Sequence, residues 1–292
     1  MIHELPREPR VLHGHFSCEL EPVVTVDPGD SVRIDVPNAG WHMAWEEPLL
    51  PREEIEGLGH ALTGPIEVRG ARAGQTLSVR IDDVQPGGWG VTIIEPPAEH
   101  VVQWELKDGV GRSEKFEVEL HPFLGVLGMP PPEPGEHPTF PPRRWGGNID
   151  CKELVAGTTL FLPIPVDGAL FSAGDGHAVQ GDGEVCGTAI ECPVRAQLTL
   201  GLRDDLSLEW PLARIDGAWL TFGFDEHLGV AARKAVDGML DLMERELGLG
   251  RNDALALASL VVDLRVTQVV NGVLGVHAVL ADEAIRFGQN PG

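Results

Sequence analysis

The segment Ala173-Gly174-Asp175-Gly176-His177-Ala178-Val179-Gln180-Gly181-Asp182-Gly183-Glu184 gathers the groups best suited to chemistry. Its glycines let the backbone turn sharply and approach a ligand, while Asp175, His177, Asp182 and Glu184 supply acids, bases and metal donors. Residues two apart on an extended chain point the same way. Asp175 with His177, and Asp182 with Glu184, are therefore each expected to present two ligands or an acid/base pair to one face. A tight hairpin with solvated acids would use many of the same residues. Four ionisable side chains plus Gln180, set between the apolar runs Ala169-Leu170-Phe171 and Thr188-Ala189-Ile190, exceed what a hairpin needs. The excess favours a site, with or without a hard or borderline divalent ion.

A second candidate is Gly146-Gly147-Asn148-Ile149-Asp150, which again places two polar side chains, Asn148 and Asp150, two apart. Asx residues beside glycine are also ordinary turn formers. The histidines are weaker signals. His13 and His15 form an H-x-H pair on an expected strand, and His60, His100, His121 and His137 stand singly, where a hydrogen-bonded or surface role is the common one. Glu46-Glu47 and Glu53-Glu54-Glu56 read as a solvated face. The four cysteines never form C-x-x-C, so free, mostly buried thiols are expected rather than a zinc knuckle or a disulfide scaffold. Cys151 is a weak nucleophile candidate because it follows a glycine-rich polar turn. No G-x-S-x-G elbow, P-loop, dinucleotide fingerprint or H-E-x-x-H helix occurs.

These groups must be positioned by a chain of 292 residues, enough for a sizeable core. The 36 glycines and 24 prolines, in a chain of ordinary 42% hydrophobic content, imply many turns and a mainly β architecture. The excess of 45 Asp and Glu over 22 Lys and Arg, a net charge of −23, repels phosphate backbones and anionic membranes, so nucleic acid and membrane are not expected partners. The opening residues lack a signal-peptide pattern and no apolar run reaches spanning length, which reads as a soluble, cytoplasmic protein.

Alternating runs predict strands at 23–26 and 31–36 joined by Asp27-Pro28-Gly29-Asp30, and at 65–68 and 77–81 joined by Gly70–Gly74, as two hairpin-like units that echo each other. Residues 38–63, with Trp41, His42, Trp45 and His60, read as an excursion over the sheet. Strands at 116–120 and 159–164 bracket a long proline-rich loop of the kind that is usually functional or disordered. Apolar spacing of three and four from Leu228 to Leu247 predicts a helix ended by Gly248 and Gly250, then a second helix over 254–262 with Asn252 as N-cap, and a returning strand at 265–270. The expected division is a β-sandwich (jelly-roll-like) body over 1–200 carrying the site loops, and an α+β part over 201–292.

The blocks Trp145 to Lys152 and Gly168 to Glu184 resemble the acetamidase/formamidase family, and so do Val26 to Asp30, Leu62 to Ile66, Phe123 to Gly128 and Asp263 to Val270, in the family's order. Ile149, Gly176 and the Arg143-Arg144-Trp145 run depart from the usual family residues, and they flank the candidate site. The resemblance implies a β-sandwich with a small C-terminal α+β part, hydrolysis of short amides to carboxylate and ammonia, and a metal-assisted site, with zinc or calcium as the expected ion. A small-molecule amide is the expected partner, and a homodimer the expected assembly. An unactivated amide needs a strong nucleophile, a stabilised oxyanion and a protonated leaving group. On that chemistry Asn148, Asp150 and His177 are assigned as metal or substrate ligands and Asp175 as the carboxylate that orients His177. Glu184 becomes the general base and proton shuttle, with a solvated hairpin carboxylate as its alternative. Asp182 is a further catalytic candidate, and Gln180 and Gly147 are candidate substrate contacts. Two other functions stay open: a non-catalytic sandwich binding a metabolite or carbohydrate through Trp41, Trp45, Trp89 and Trp145, and a metal-dependent hydrolase of cyclic amides.

Overall fold

The computed structural model describes residues 1–45, 47–55, 57–94 and 99–285. Nine strands make one sheet, in the order Ile2–Leu5, Ser31–Val36, Val194–Arg203, Thr76–Pro86, Thr159–Pro163, Leu212–Ile215, Ala218–Asp225, Leu274–Ala281 and Val262–Gln268. A second sheet runs Gly146–Asn148, Phe123–Gly128, Phe171–His177, Leu62–Val68 and Leu12–His13, with Val24–Val26 parallel to Leu62–Val68. A smaller one joins Glu117–Glu119, Val110–Arg112, His100–Lys107 and Trp89–Ile94. The fold is the expected mainly β sandwich.

Val32, Ile34 and Val36 of the first sheet share one core with Ile66, Val68, Leu124, Leu127 and Phe171 of the second. Ser31–Val36 alternates strictly between half-buried and buried residues, as one covered face requires. Phe171–His177 is buried at every position, so its second face is covered too. That cover is where a site can be dry.

The two hairpin-like units are not hairpins. Val24–Val26 pairs with Leu62–Val68 in the second sheet, whereas Ser31–Val36 pairs with Ile2–Leu5 and Val194–Arg203 in the first. The turn between them, with Gly29 at φ 95° and Asp30 N donating to Asp27 O at 2.9 Å, carries the chain from one sheet to the other. The 70–74 turn does the same from Leu62–Val68 to Thr76–Pro86. A period of two appears whenever one strand face is buried, whether the next strand lies beside it or across the core. The pattern therefore located the strands but not their partners.

The helix Leu228–Leu247 buries Ala231, Ala235, Met239, Leu240, Leu242 and Met243 and stops at Gly248, whose φ of 66° suits a residue without Cβ. The next helix is Arg251–Val261, capped at Gly250 without a side-chain bond, so Asn252 lies inside it rather than at its N-cap. The returning strand accordingly starts earlier, at Val262. Both helices pack with Phe161, Leu212, Val276 and Ala278 in a second core. Residue 200 falls within Val194–Arg203, and strands from both sides of that position share the nine-stranded sheet. The acidic residues Glu47, Glu53 and Glu54 are exposed, and Glu46 and Glu56 lie outside the described residues. Cys151 and Cys192 are buried and Cys18 and Cys186 half-buried, all as free thiols. Among the described residues no helix is long and apolar enough to cross a membrane.

Candidate active site

A cavity of about 580 Å³ opens where the 38–60 excursion lies over the second sheet. Trp41, Trp89, Val91 and Ile93 line its apolar side, and Asn148, Asp175, His177, Glu184 and Glu191 line its polar side. His177, at the end of its strand, is the hub. Its Nε2 lies 3.3 Å from Asp175 Oδ1 and 3.2 Å from Glu191 Oε1, and its Nδ1 lies 2.9 Å from Gln180 Oε1. An amide oxygen only accepts, so Nδ1 carries a proton and Nε2 faces the two carboxylates. Gln180 Nε2 in turn donates to the Asp150 carbonyl at 2.9 Å, and Asn271 Nδ2 donates to Asp150 Oδ2 at 2.6 Å.

Three acids of this cluster hold left-handed backbone: Asp150 at φ 52°, Asp175 at 59° and Glu184 at 47°. Such conformations cost about 1 to 3 kcal/mol each and persist where surroundings over-determine them. Gly125, on the neighbouring strand, makes the convergence possible. A Cβ there would meet Asp175 Oδ2 at 2.4 Å, Asp150 Oδ1 at 2.5 Å and His177 Cε1 at 3.0 Å.

The charges are unbalanced, with four carboxylates around one imidazole. Burial, then the Asp175 charge, push Asp150 up against the pull of His177, to about 6. Burial and the nearby Asp150 push Glu184 up to about 10. Burial also acts on Asp175, but His177 and His60 outweigh it and hold that carboxyl below the usual range. His177 is desolvated as well, yet Glu191 and Asp175 carry it well above 6.5. Asn148 Oδ1, Asp150 Oδ1 and Glu191 Oε2 are buried without a hydrogen-bond partner among the described residues. Each such group costs about 1 to 3 kcal/mol of lost solvation. Ligand atoms of Asp150, His177 and Glu184 lie within 4.8 Å of one another, and so do those of Asp175, His177 and Glu191. These buried groups could hold a metal ion.

Of the residues singled out by spacing, Asn148, Asp150, Asp175, His177 and Glu184 come together. Asp182 does not: it is exposed and pairs with Lys152 Nζ at 3.1 Å. The strand ends at His177, so the rule of two that aligned Asp182 with Glu184 has no extended backbone to act on. Glu184 is buried rather than a solvated hairpin acid. Gly147 and Gln180 lie outside the cavity lining, Gln180 instead bracing His177 and Asp150. Cys151 is also outside that lining, and burial with the Glu153 charge pushes its thiol well up, opposite to what a nucleophile needs. Trp41, Trp45 and Trp89 line the cavity and Trp145 does not. His13 is a hydrogen-bonded histidine, on Ser172 Oγ at 2.9 Å and the His15 carbonyl at 2.7 Å.

Glu191, Asn271 and Gly125 carried no local signal. Glu191 reaches His177 through isolated bridges that pair it with both His177 and Val91, an event of tertiary pairing. His60, one of the lone histidines, lines the cavity and bonds Thr139 Oγ1 through Nδ1 at 2.8 Å.

Known proteins are similar to this chain in fold and in sequence. An acetamidase from Bacillus halodurans superposes with a TM-score of 0.87 at 27% identity, covering 95% of this chain and 97% of that one. A Schizosaccharomyces pombe protein provisionally named a formamidase is 24% identical over 278 residues, 69% of this chain and 67% of its own length. An acetamidase of Mycolicibacterium smegmatis is 53% identical over 55 residues, 18% of this chain and 13% of that protein. With its sequence matching the family profile over residues 3–131 and 135–214, the chain belongs to the Acetamidase/Formamidase family, which supports short-chain amide hydrolysis as its activity.

Proposed function

We propose that the chain hydrolyses short linear amides to a carboxylate and ammonia at the polar side of this cavity, with the cluster around His177 as the reaction centre. The observation that carries the placement is the convergence of Asp150, Asp175, Glu184 and Glu191 on one imidazole, with orphaned oxygens among them. Excess negative charge in a dry site calls for a compensating cation. The donors fit one: the free oxygens of Asn148, Asp150 and Glu191 suit calcium, and adding the His177 imidazole suits zinc. Asp150 and His177 would hold the ion together with the orphaned oxygens of Asn148 and Glu191, and Glu184 and Asp175 would stand beside it. A divalent ion bound there lowers the pKa of a water toward ~7 and polarises an amide carbonyl.

The chain's own residues do the rest. Gln180 fixes the imidazole and the Asp150 backbone together, and in the metal-free protein Asp175, 3.3 Å from Nε2, holds the ring as an imidazolium. Glu184 lines the cavity, and among the described residues no side chain hydrogen-bonds its carboxyl. Ionised, it accepts a proton from water; protonated, it returns one to the departing nitrogen, so a single group covers both transfers. Trp41, Trp89, Val91 and Ile93 keep water off the acyl side. Purified, metal-replete protein is expected to release ammonia from at least one of formamide, acetamide and propionamide. Silence across that panel overturns the reading.

The same groups give metal-free protein an inverted pH dependence of stability. Asp150 and Glu184 bind protons more tightly folded than unfolded. Their contribution is fully present below about pH 4 and is lost as pH rises, through about 6 for Asp150 and about 10 for Glu184. Asp175 runs the other way, but its stabilisation is lost only as pH falls below the carboxylate range. The melting temperature of chelated protein should therefore fall from about pH 5 to 8, and added zinc should flatten the curve. A melting temperature that rises across that interval contradicts this charge balance.

A further inference from the structure

Beyond Asp150 the chain leaves the cavity, and three further donors meet away from it. Cys151 Sγ, a Glu153 carboxylate oxygen and a His277 ring nitrogen all lie within 4.8 Å of one another. Cys151 and Glu153 belong to the loop that carries Asp150, and His277 belongs to the strand Leu274–Ala281. None of them lines the cavity.

His277 is fully buried, and its Nε2 has no hydrogen-bond partner among the described residues. Glu153 Oε2 stands 3.7 Å away, too far for a bond. The other ring nitrogen, Nδ1, is occupied by Thr267 Oγ1 at 2.8 Å, which orients the ring and aims Nε2 at the cluster. Glu153 is anchored from outside, Oε1 accepting from Arg265 Nη1 at 2.8 Å, while Oε2 accepts from the Cys151 thiol at 3.2 Å. The Cys151–Glu153 pair and the unpartnered Nε2 of His277 thus bring three unlike donors within 4.8 Å of one another. A simple buried network would bring Nε2 into hydrogen-bond range of Oε2, and here it does not.

We propose that Cys151 Sγ, His277 Nε2 and Glu153 Oε2 form a second metal site, distinct from the amide site, for a zinc-type divalent ion. A thiolate, an imidazole and a carboxylate are the donor types of zinc, and three protein ligands leave one corner of a tetrahedron for water. The thiolate and carboxylate offset most of a dication's charge, with Arg265 the cation on the far side of Glu153 and Lys152 turned to Asp182. A ligand histidine usually has its second nitrogen held by a hydrogen-bond partner, and here the Thr267 hydroxyl takes that place. The ion would tie the C-terminal hairpin to the Asp150 loop. That hairpin also supplies Asn271 to Asp150 and bonds Gly183 through the Thr267 carbonyl at 3.0 Å, beside Glu184.

Cobalt(II) reports the site without reference to turnover. Full-length protein, stripped and reconstituted with cobalt, should show a thiolate-to-cobalt charge-transfer band and bind one more ion per chain than Cys151→Ser. His277→Gln should lose the same band, and Cys192→Ser, whose sulfur lies outside the cluster, should keep it. Circular dichroism checks each variant's fold, and if Cys151→Ser does not fold, loss of the band in His277→Gln decides. Cobalt uptake without the band in the unaltered protein, or a band that survives either substitution, overturns the proposal. Ammonia release bears on the amide site alone.

Discussion

Replacing Glu184 by glutamine is expected to lower turnover by ~10²–10⁴-fold, about 3 to 5 kcal/mol of barrier, while leaving thermal stability unchanged or higher. The substitution keeps shape and removes proton acceptance. Stability should not suffer, because in the metal-free protein the buried carboxyl is held protonated to about pH 10 at its own energetic expense, and an amide carries no such penalty. The metal-free variant should also lose part of the downward slope of stability with pH. Turnover, ion content and melting temperature need to be measured on the same sample. Retained ion with near-normal turnover removes Glu184 as the base and leaves Asp175 as the acid in reach. Loss of the ion makes Glu184 a ligand instead.

Gly125→Ala should have the other large effect. Its one added carbon would sit 2.4 and 2.5 Å from two carboxylate oxygens that are themselves fully buried, so neither can swing into solvent. Overpacking of this kind typically costs about 1 to 3 kcal/mol, and here it is paid by moving Asp150 and Asp175 apart. A displacement near 1 Å in a reaction centre lowers rates by roughly 10²-fold. The variant should melt lower, retain less ion and release ammonia at about a hundredth of the rate or less. A variant that keeps turnover and ion would mean that the carboxylates need not crowd this strand.

Much of the site was legible where local geometry governs. Asp175 and His177 share a face because both lie on one strand, and Asn148 and Asp150 are two residues apart where the strand Gly146–Asn148 ends. Spacing lost its meaning at the strand's end. Glu184 proved central and Asp182 peripheral, although spacing treated them as a pair, because the loop after His177 is bent by its own glycines. Glu191 and Asn271 were invisible for another reason: each is delivered by pairing between distant segments, which leaves no trace in spacing. The hairpins that turned out to be crossings between sheets mark the same limit, since alternation encodes burial of a face and not the identity of a neighbour.

The position of Val194–Arg203 in the large sheet has a consequence for how the chain is made. It lies between Ser31–Val36 and Thr76–Pro86, so both of those strands keep an open edge until the chain has grown past residue 203. During synthesis the N-terminal two thirds cannot close its own sheet, and closure must wait for a segment more than a hundred residues distant, which slows folding. Exposed edges of this kind invite pairing with other nascent chains. The acidic excess, −23 over the full chain, works against such pairing, because like-charged copies repel one another.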